Sequence, residues 1–179
     1  MIGVLVSGEG TNLQALLDDG LPVVAVASNR EDARGLERAD RAAIATAAFE
    51  LEDYPTRELR DLAMADWLTG SGVELVVCAG YMHLLTPAFL DRFPGRIVNV
   101  HPALLPRFPG ARPIADALAA GVRETGATVH YVDAGIDTGP VIRQEPVAVE
   151  PGDTVDSLRA RIQAVEHRLL PQVVRELLA

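Results

Sequence analysis

Lysine is absent from the 179-residue sequence, and all 16 basic residues are arginine. Without lysine the chain cannot form a lysine Schiff base, which excludes a conventional pyridoxal phosphate enzyme. It also lacks a Walker A motif, because that motif places a lysine on the phosphates. An anionic ligand must therefore be bound by arginine, by backbone N–H groups or by neutral side chains.

Cysteine is almost absent as well. The single cysteine, Cys78, permits no internal disulfide, and the sequence has no cysteine cluster for zinc. Because Cys78 lies in segment 74–79, which is apolar after Glu74, we expect it to be a buried strand residue.

A surplus of positive charge and long apolar runs are both missing. The net charge is −9, and broad nucleic-acid binding needs neutralising cations, so no nucleic-acid partner is expected. No apolar run approaches the roughly 18 residues of a membrane span. Segment 1–6 is too short for a signal peptide and has no basic leader. We therefore expect a cytoplasmic protein without membrane contacts.

Short apolar runs alternate with helical patterns along the chain. Runs such as 2–6 and 73–79 are apolar apart from Glu74, which is typical of strands covered on both faces of a parallel sheet. Segments 128–132 and 141–149 flank a loop rich in glycine and aspartate, and we expect an antiparallel pair there. The sequence thus predicts one α/β domain over 1–179: a mostly parallel twisted sheet with helices on both faces and an antiparallel edge near the C-terminus.

Two helix ends have readable signals. The first helix is expected to begin with Thr11 or Asn12 as its N-cap. The last is expected to open at Asp153 or Thr154, followed by apolar residues at spacings of three and four. Pro171 lies inside that pattern and should kink or interrupt the helix.

Segment 7–12, Ser-Gly-Glu-Gly-Thr-Asn, joins the first strand to the first helix. Its glycines allow a ligand to approach the backbone, and the N–H groups at the helix start favour an anion. A tight strand-to-helix turn without a ligand would explain the same residues. The segment alone does not decide between the two interpretations.

Asn99 and His101 close the strand 96–100 and are two residues apart, so they point the same way from an extended chain. Ligands bind beyond the carboxyl ends of strands in parallel sheets. A lone histidine would more often be structural, but this pairing with asparagine favours a functional role.

Two loops could complete a site. Loop 102–110 contains several prolines and is expected to be rigid, either as a pocket wall or as a surface connector, with Leu105–Pro106 in the cis form. Loop 133–140 contains Asp133 and Asp137. It could be a simple turn, a loop that aims one carboxylate at a site, or a weak cation site.

Segments 99–102, 104–106 and 137–140 contain Asn-x-His-Pro, Leu-Leu-Pro and Asp-x-Gly-Pro in this order. Together they resemble the signature of the folate-dependent formyltransferases. Four further segments resemble the branch of that family that formylates glycinamide ribonucleotide in purine synthesis; they are 7–15, 79–82, 126–130 and 163–167. The resemblance covers essentially the whole chain.

The resemblance implies a Rossmann-like formyltransferase fold and a defined reaction. The formyl group of 10-formyltetrahydrofolate, a co-substrate, would pass directly to an amine, without a covalent enzyme intermediate and without a metal. Asn99 and His101 would donate hydrogen bonds to the oxygen on which negative charge develops. His101 would also move the proton, since imidazoles exchange protons near neutral pH, and Asp137 would orient it.

The resemblance also assigns the nucleotide substrate. The phosphate of glycinamide ribonucleotide would lie on the N–H groups of Gly10, Thr11 and Asn12. Gln163 would add a contact, and Glu166 would hold the ribose hydroxyls. Without the resemblance, Glu166 would be interpreted as a solvated helix residue.

The folate would bind to segment 82–85, largely through its backbone, and to loop 131–137. The residues assigned to it are Arg57, Met82, His83, Leu84, Leu85, Asn99, Val132 and Asp133. The family usually has arginine at the position of His83, so a side-chain contact from His83 is in doubt. Arg57 could equally be an exposed residue at a helix start. The expected partners are small molecules, and the expected assembly is a monomer or a weak homodimer.

Three other functions fit parts of the pattern. Segment 110–114 is closer to methionyl-tRNA formyltransferase, but that enzyme resembles a longer chain with an added C-terminal domain, and a charge of −9 disfavours tRNA. A non-catalytic nucleotide-binding module would need only segment 8–12. A metal-dependent hydrolase would use Asp133, Asp137 and His130 as ligands.

Overall fold

The computed structural model describes all residues from Met1 to Ala179. Its strands are β1 (Ile2–Val6), β2 (Val23–Ser28), β3 (Ala45–Ala48), β4 (Leu75–Cys78), β5 (Ile97–His101), β6 (Glu124–Tyr131) and β7 (Val141–Ala148). Its helices are α1 (Thr11–Asp18), α2 (Arg34–Arg41), α3 (Arg57–Gly70), α4 (Pro87–Leu90), α5 (Pro113–Ala119) and α6 (Val155–Leu178), with a short 3₁₀ turn at Leu51–Asp53.

The strands form one seven-stranded sheet in the order β3-β2-β1-β4-β5-β6-β7. β1 is parallel to both β2 and β4, β2 is parallel to β3, and β4 is parallel to β5. β6 and β7 are antiparallel along their whole length. A mostly parallel sheet with an antiparallel edge is therefore confirmed. β6 begins four residues earlier than expected, because Glu124 already pairs with Ala148.

The chain divides into two compact units, Met1–Asn99 and Val100–Ala179. In the first unit, helices cover both faces of β1. The Cα of Gly3 faces Leu68 of α3 and Val73, whereas Gly35 of α2 lies against Val6. Because Gly3 and Val6 are three apart, they point to opposite faces of the strand. The expectation of helices on both faces of the sheet is thus confirmed.

The cap of α1 differs from the expectation. Gly10, rather than Thr11 or Asn12, is the N-cap, and it has a left-handed backbone with φ of 70°. A side chain here would strike the backbone of Gly35, 2.6 Å from the position of a Cβ. Glycine is therefore needed both for the turn and for the close approach of α2.

In the second unit, α6 packs on β6 and β7. Thr154 is its N-cap and forms a capping box with Ser157, as expected. The helix continues through Pro171, so the expected interruption is wrong, whereas the expected kink stays a prediction. Proline removes one helical hydrogen bond, and the burial of Leu169, Leu170 and Val173 around it offsets that loss.

Other elements depart from the sequence pattern in smaller ways. α5 had no expected counterpart, because its seven residues are too few for a clear helical period. The pattern of residues 31–41 predicts a helix, and α2 occupies its later part, beginning at Arg34. Cys78 is buried at the end of β4, as expected, and burial raises the pKa of its thiol to about 12. No helix has the length and apolar character that crossing a membrane requires.

The space around β1 makes a stability prediction. Gly3→Ala would place a Cβ 2.9 Å from the side chains of Leu68 and Val73, so overpacking should lower the unfolding free energy by about 1–3 kcal/mol. Gly70→Ala, at the exposed end of α3 with open space around it, is the matched control and should raise it by up to about 1 kcal/mol. Urea unfolding monitored by circular dichroism measures both; equal effects would contradict the packing argument.

Candidate active site

The strand order of the first unit defines a crevice. The chain runs from β1 outward to β2 and β3, then returns to the other side of β1 with β4. Ligands of open α/β sheets bind at the carboxyl ends of strands where the order reverses in this way. Residues 7–12, here called the glycine loop, follow β1, and residues 81–86, here called the 81–86 segment, come soon after β4. Both therefore lie at this reversal point.

The glycine loop is held from outside by α2. The Gly8 carbonyl accepts a hydrogen bond from the Gly35 N–H at 2.9 Å, and the Glu9 carbonyl accepts one from Arg38 Nε at 2.7 Å. The first turn of α1 has no side-chain cap and no acidic residue. Those features suit an anion at the start of α1, where Gly10, Thr11 and Asn12 were expected to bind phosphate.

Side chains of the first unit hold the backbone of the 81–86 segment. The Met82 N–H donates to Ser7 Oγ at 2.9 Å, which ties this segment to the glycine loop. The Arg57 guanidinium donates to the Leu84 carbonyl. Of the two interpretations offered for Arg57, the structure thus favours a role in the site over a free helix start. Direct contact of Arg57 with folate stays a prediction.

The apolar side chains of the 81–86 segment alternate in exposure. Met82 is 64% exposed and Leu84 is 48% exposed, whereas Leu85 is buried. Large apolar side chains left exposed beside fixed backbone groups are typical of a binding surface for a flat, partly apolar ligand.

The side chain of His83 is engaged by protein groups on both ring nitrogens. Nδ1 lies 3.1 Å from Arg60 Nη1, and Nε2 lies 3.3 Å from Asn29 Nδ2. Partial burial, together with the charges of Arg60 and Arg57, lowers the pKa of His83. The doubt about a folate contact from this side chain therefore has a structural reason, since its polar atoms already face other residues.

Asn99 and His101 lie on β5 at alternate positions, as expected. In the second unit His101 is buried, and its Nε2 lies 2.8 Å from the Phe108 carbonyl. A carbonyl can only accept, so Nε2 carries a proton. The other nitrogen, Nδ1, lies 3.5 Å from Asp137 Oδ2. A second proton on the ring would thus sit between the imidazole and a carboxylate.

Asp137 connects the two loops of the second unit. Its carboxylate accepts the Gly110 N–H at 2.8 Å, and its own backbone is left-handed, with φ of 54°. The Leu105–Pro106 peptide in the loop that leads to Gly110 is cis, as expected. Loop 102–110 is therefore attached to the carboxylate, which fits a wall of the site better than a free connector.

His130 is a site residue that the sequence reasoning missed, since it was named only as a metal ligand in one alternative. Its Nε2 lies 3.7 Å from Asp137 Oδ1, and its Nδ1 lies 2.8 Å from the Tyr131 carbonyl. Burial lowers the pKa of His130, whereas the Tyr131 carbonyl and the charge of Asp137 act to raise it. Two imidazoles therefore flank one carboxylate. The available signals were its position beside loop 133–140 and its place in segment 126–130, which resembles the family.

Asp133, the competing carboxylate, turns back on its own loop. It accepts hydrogen bonds from the Gly135 N–H at 2.9 Å and the Thr138 hydroxyl at 2.7 Å. The Thr138 hydrogen bond is the main cause of its lowered pKa. The choice of Asp137 is thus supported by geometry, while folate contacts from Val132 and Asp133 stay predictions.

Gln163 and Glu166 lie three apart on α6 and share a face of the helix. Glu166 is only 6% exposed. A carboxylate is rarely buried without a specific reason, so the alternative of a solvated helix residue is wrong. Binding of ribose by Glu166 stays a prediction.

Comparison with known proteins assigns the class. The sequence profile described as "Formyl transferase" matches residues 1–174. The match covers nearly the whole chain, and the chain belongs to this family.

Individual relatives narrow the comparison. The chain is 48% identical over 179 residues to phosphoribosylglycinamide formyltransferase of Mycobacterium tuberculosis, covering 97% of this chain and 83% of the relative. It is 43% identical to the trifunctional purine biosynthetic protein adenosine-3 of Chironomus tentans, of which it spans 13%. The crystal structure of glycinamide ribonucleotide transformylase 1 from Symbiobacterium toebii superposes with a TM-score of 0.95 at 49% identity, covering 97% of this chain and 85% of that one.

The environment of His130 predicts a pH dependence of stability. Because its pKa is lowered in the folded state, the unfolded chain binds a proton first as pH falls, and stability is lost from about pH 6.5 downward. His130→Asn retains an amide N–H for the Tyr131 carbonyl but does not titrate. The variant should therefore lose less unfolding free energy than the wild type between pH 7 and pH 5, a difference below about 1.4 kcal/mol per pH unit. Urea titrations across this range test it; parallel pH profiles would contradict the assignment.

Proposed function

We propose that this chain transfers the formyl group of 10-formyltetrahydrofolate to the amine of glycinamide ribonucleotide in de novo purine synthesis. The observation that carries the proposal is the buried His101, whose Nδ1 faces the Asp137 carboxylate at 3.5 Å. The family membership supports formyl transfer, and the names of the relatives support this acceptor.

The whole chain, 1–179, would act as one formyltransferase domain in the cytoplasm, as a monomer or weak homodimer. Its partners would be the two small molecules. A net charge of −9 disfavours a nucleic acid as the acceptor.

The folate is assigned to the 81–86 segment. The exposed Met82 and Leu84 side chains suit the apolar faces of a pterin ring, and backbone groups beside them suit its polar edge. Arg57 lies beside Leu84 and can approach the anionic tail of the folate. Val132 and Asp133 would add contacts from the loop after β6. The 81–86 segment therefore offers the folate an apolar surface for its ring, with the cation of Arg57 at the edge of that surface for its tail.

The phosphate of the nucleotide is assigned to the N–H groups of Gly10, Thr11 and Asn12. An uncapped first turn without acidic side chains favours this ligand, and the lack of lysine makes backbone N–H groups the natural phosphate donors. Gln163 would contribute a further hydrogen bond. Glu166 would accept hydrogen bonds from the ribose hydroxyls.

The chemistry balances with the groups at hand. The amine nitrogen forms a bond to the formyl carbon, the bond from that carbon to the folate nitrogen breaks, and one proton moves from the amine to the departing nitrogen. Asn99 donates its amide N–H to the formyl oxygen as negative charge develops there.

His101 serves in its protonated form. Nδ1–H faces Asp137, which stabilises the cation, and Nε2–H is the donor available to the formyl oxygen once it exchanges the Phe108 carbonyl for substrate. Asp137 would also pass the amine proton on, directly or through water. The Gly110 N–H, which donates to Asp137 Oδ2 at 2.8 Å, holds the carboxylate in place.

The catalytic assignment makes a kinetic prediction. His101→Ala and Asp137→Ala should each lower kcat with both substrates saturating by at least about a hundredfold, the typical effect of removing one transition-state donor. Asp133→Ala is the matched carboxylate control and should retain most activity, because that side chain is bonded to its own loop. The folate absorbance change follows turnover without added metal. Formylation of initiator methionyl-tRNA with none of glycinamide ribonucleotide would reject the proposed acceptor.

The ribose assignment makes a separate prediction. Glu166→Gln should raise the KM for glycinamide ribonucleotide by about tenfold, because an acceptor for the ribose hydroxyls is weakened. The KM for the folate should change little. Glu176→Gln, on the same helix but in an exposed ion pair with Arg143, is the control and should leave both KM values unchanged. Equal shifts in the two KM values of Glu166→Gln would argue for a structural role instead.

A further inference from the structure

A wholly buried arginine lies behind the 81–86 segment and has no part in the reaction described above. Arg60 is 0% exposed, and its Nε donates to Asp61 Oδ1 at 2.7 Å. The other oxygen of Asp61 accepts the Thr86 N–H at 2.8 Å. The pair therefore holds the C-terminal end of the 81–86 segment against α3. Burial of an ion pair costs free energy in desolvation, so it calls for a specific explanation.

The contact between Arg60 and His83 determines the state of the imidazole. A guanidinium N–H can only donate, so Arg60 Nη1, at 3.1 Å, requires His83 Nδ1 to be an acceptor. A neutral ring must then carry its proton on Nε2. The other tautomer, and the imidazolium, would both aim an N–H at the N–H of Arg60. Only one of the three states of His83 fits its surroundings.

The same constraint passes to the glycine loop. Nε2–H of His83 needs an acceptor, and the group facing it is the side-chain amide of Asn29 at 3.3 Å. The same side chain bonds the glycine loop: Asn29 Oδ1 accepts a hydrogen bond from Ser7 Oγ, which in turn accepts the Met82 N–H at 2.9 Å. Rotation of the Asn29 amide by 180° would turn its oxygen toward His83 Nε2–H, so the series of hydrogen bonds from Arg60 to Met82 links the state of His83 to the orientation of Asn29.

We propose that Arg60 is a positioning residue for the folate, which acts by holding His83 as the neutral Nε2–H tautomer and so fixes the 81–86 segment between α3 and the glycine loop. The proposal rests on the proposed function, since it assigns this segment to the folate.

A pH dependence follows from the geometry. A proton added to His83 would place an N–H against an N–H of Arg60. The positive charge of Arg57 also disfavours the protonated ring, whereas the negative charge of Asp61 favours it. The ring of Tyr81, with its centroid 6.0 Å away, is the remaining titratable group that faces His83. Burial and the two arginines lower the pKa of His83, so the series of hydrogen bonds persists to a pH below the ordinary range of histidine. Below that pH the segment should loosen and the folate KM should rise.

The first test needs no activity. The chain has only four histidines, so ¹⁵N spectra of the full-length protein labelled at histidine can be assigned with His83→Asn. At pH 7 the His83 ring should show an unprotonated Nδ1 and a protonated Nε2. In Arg60→Met that preference should disappear, and His83 should titrate at a higher pH. The opposite tautomer, or an imidazolium, at pH 7 in the wild type would overturn the proposal.

The second test separates positioning from stability. Arg60→Lys retains the charge but cannot reach both Asp61 and His83, so the KM for 10-formyltetrahydrofolate should rise about tenfold, as expected for one lost hydrogen bond to a charged group. The kcat and the KM for glycinamide ribonucleotide should stay within about twofold. Arg92→Lys is the matched control, since Arg92 forms an exposed ion pair with Asp66, and it should change nothing.

Two variants at position 83 complete the design. His83→Asn keeps an acceptor near the position of Nδ1 and should raise the folate KM less than His83→Leu does, and adding Arg60→Lys to His83→Leu should have no further effect. An unchanged folate KM in Arg60→Lys, or a parallel loss in kcat and both KM values together with stability, would overturn the positioning role. If the wild type does not use this folate and acceptor at all, the proposed function fails, while the spectra still decide the state of His83.

Discussion

The pairing of β1 with β4 is the constraint on which the rest of the structure depends. It brings the glycine loop and the 81–86 segment side by side at the carboxyl edge of a parallel sheet. Gly3 makes the pairing compatible with α3, and Gly10 and Gly35 let α2 approach the glycine loop. Once the backbone is arranged in this way, side chains from α3 and from the strand ends need only short reaches to meet. The positions of the site residues in the first unit therefore follow from the pairing of β1 with β4.

The sequence was most informative where a backbone rule operates. Apolar runs identified the parallel strands, and a glycine- and aspartate-rich loop marked the antiparallel edge, because both depend on local periodicity and turn chemistry. Asn99 and His101 could be placed together because alternation along a strand is a geometric necessity. Pro171 was misjudged because packing outweighed one lost hydrogen bond, an effect of tertiary structure that no local rule contains.

The residues that could not be foreseen are those whose role depends on a partner distant in sequence. His130 lies beside Asp137, which was itself expected from the resemblance, only because the loop after β6 folds back. No sequence pattern singled out Arg60, yet it is entirely buried against Asp61. Glu166 was recognised only through family resemblance. Charged residues of this kind carry no periodic signal of burial, so a structure is required to find them.

The burial of Cys78 has a practical consequence for studying this protein. Its thiol stays protonated at any pH used for labelling, and the strands around β4 shield it. A second cysteine, introduced at an exposed position of loop 102–110 or loop 133–140, would therefore be the only thiol that a maleimide dye could reach. The native chain is thus already prepared for site-specific fluorescence, and movements of its loops during turnover can be followed without first removing a natural cysteine.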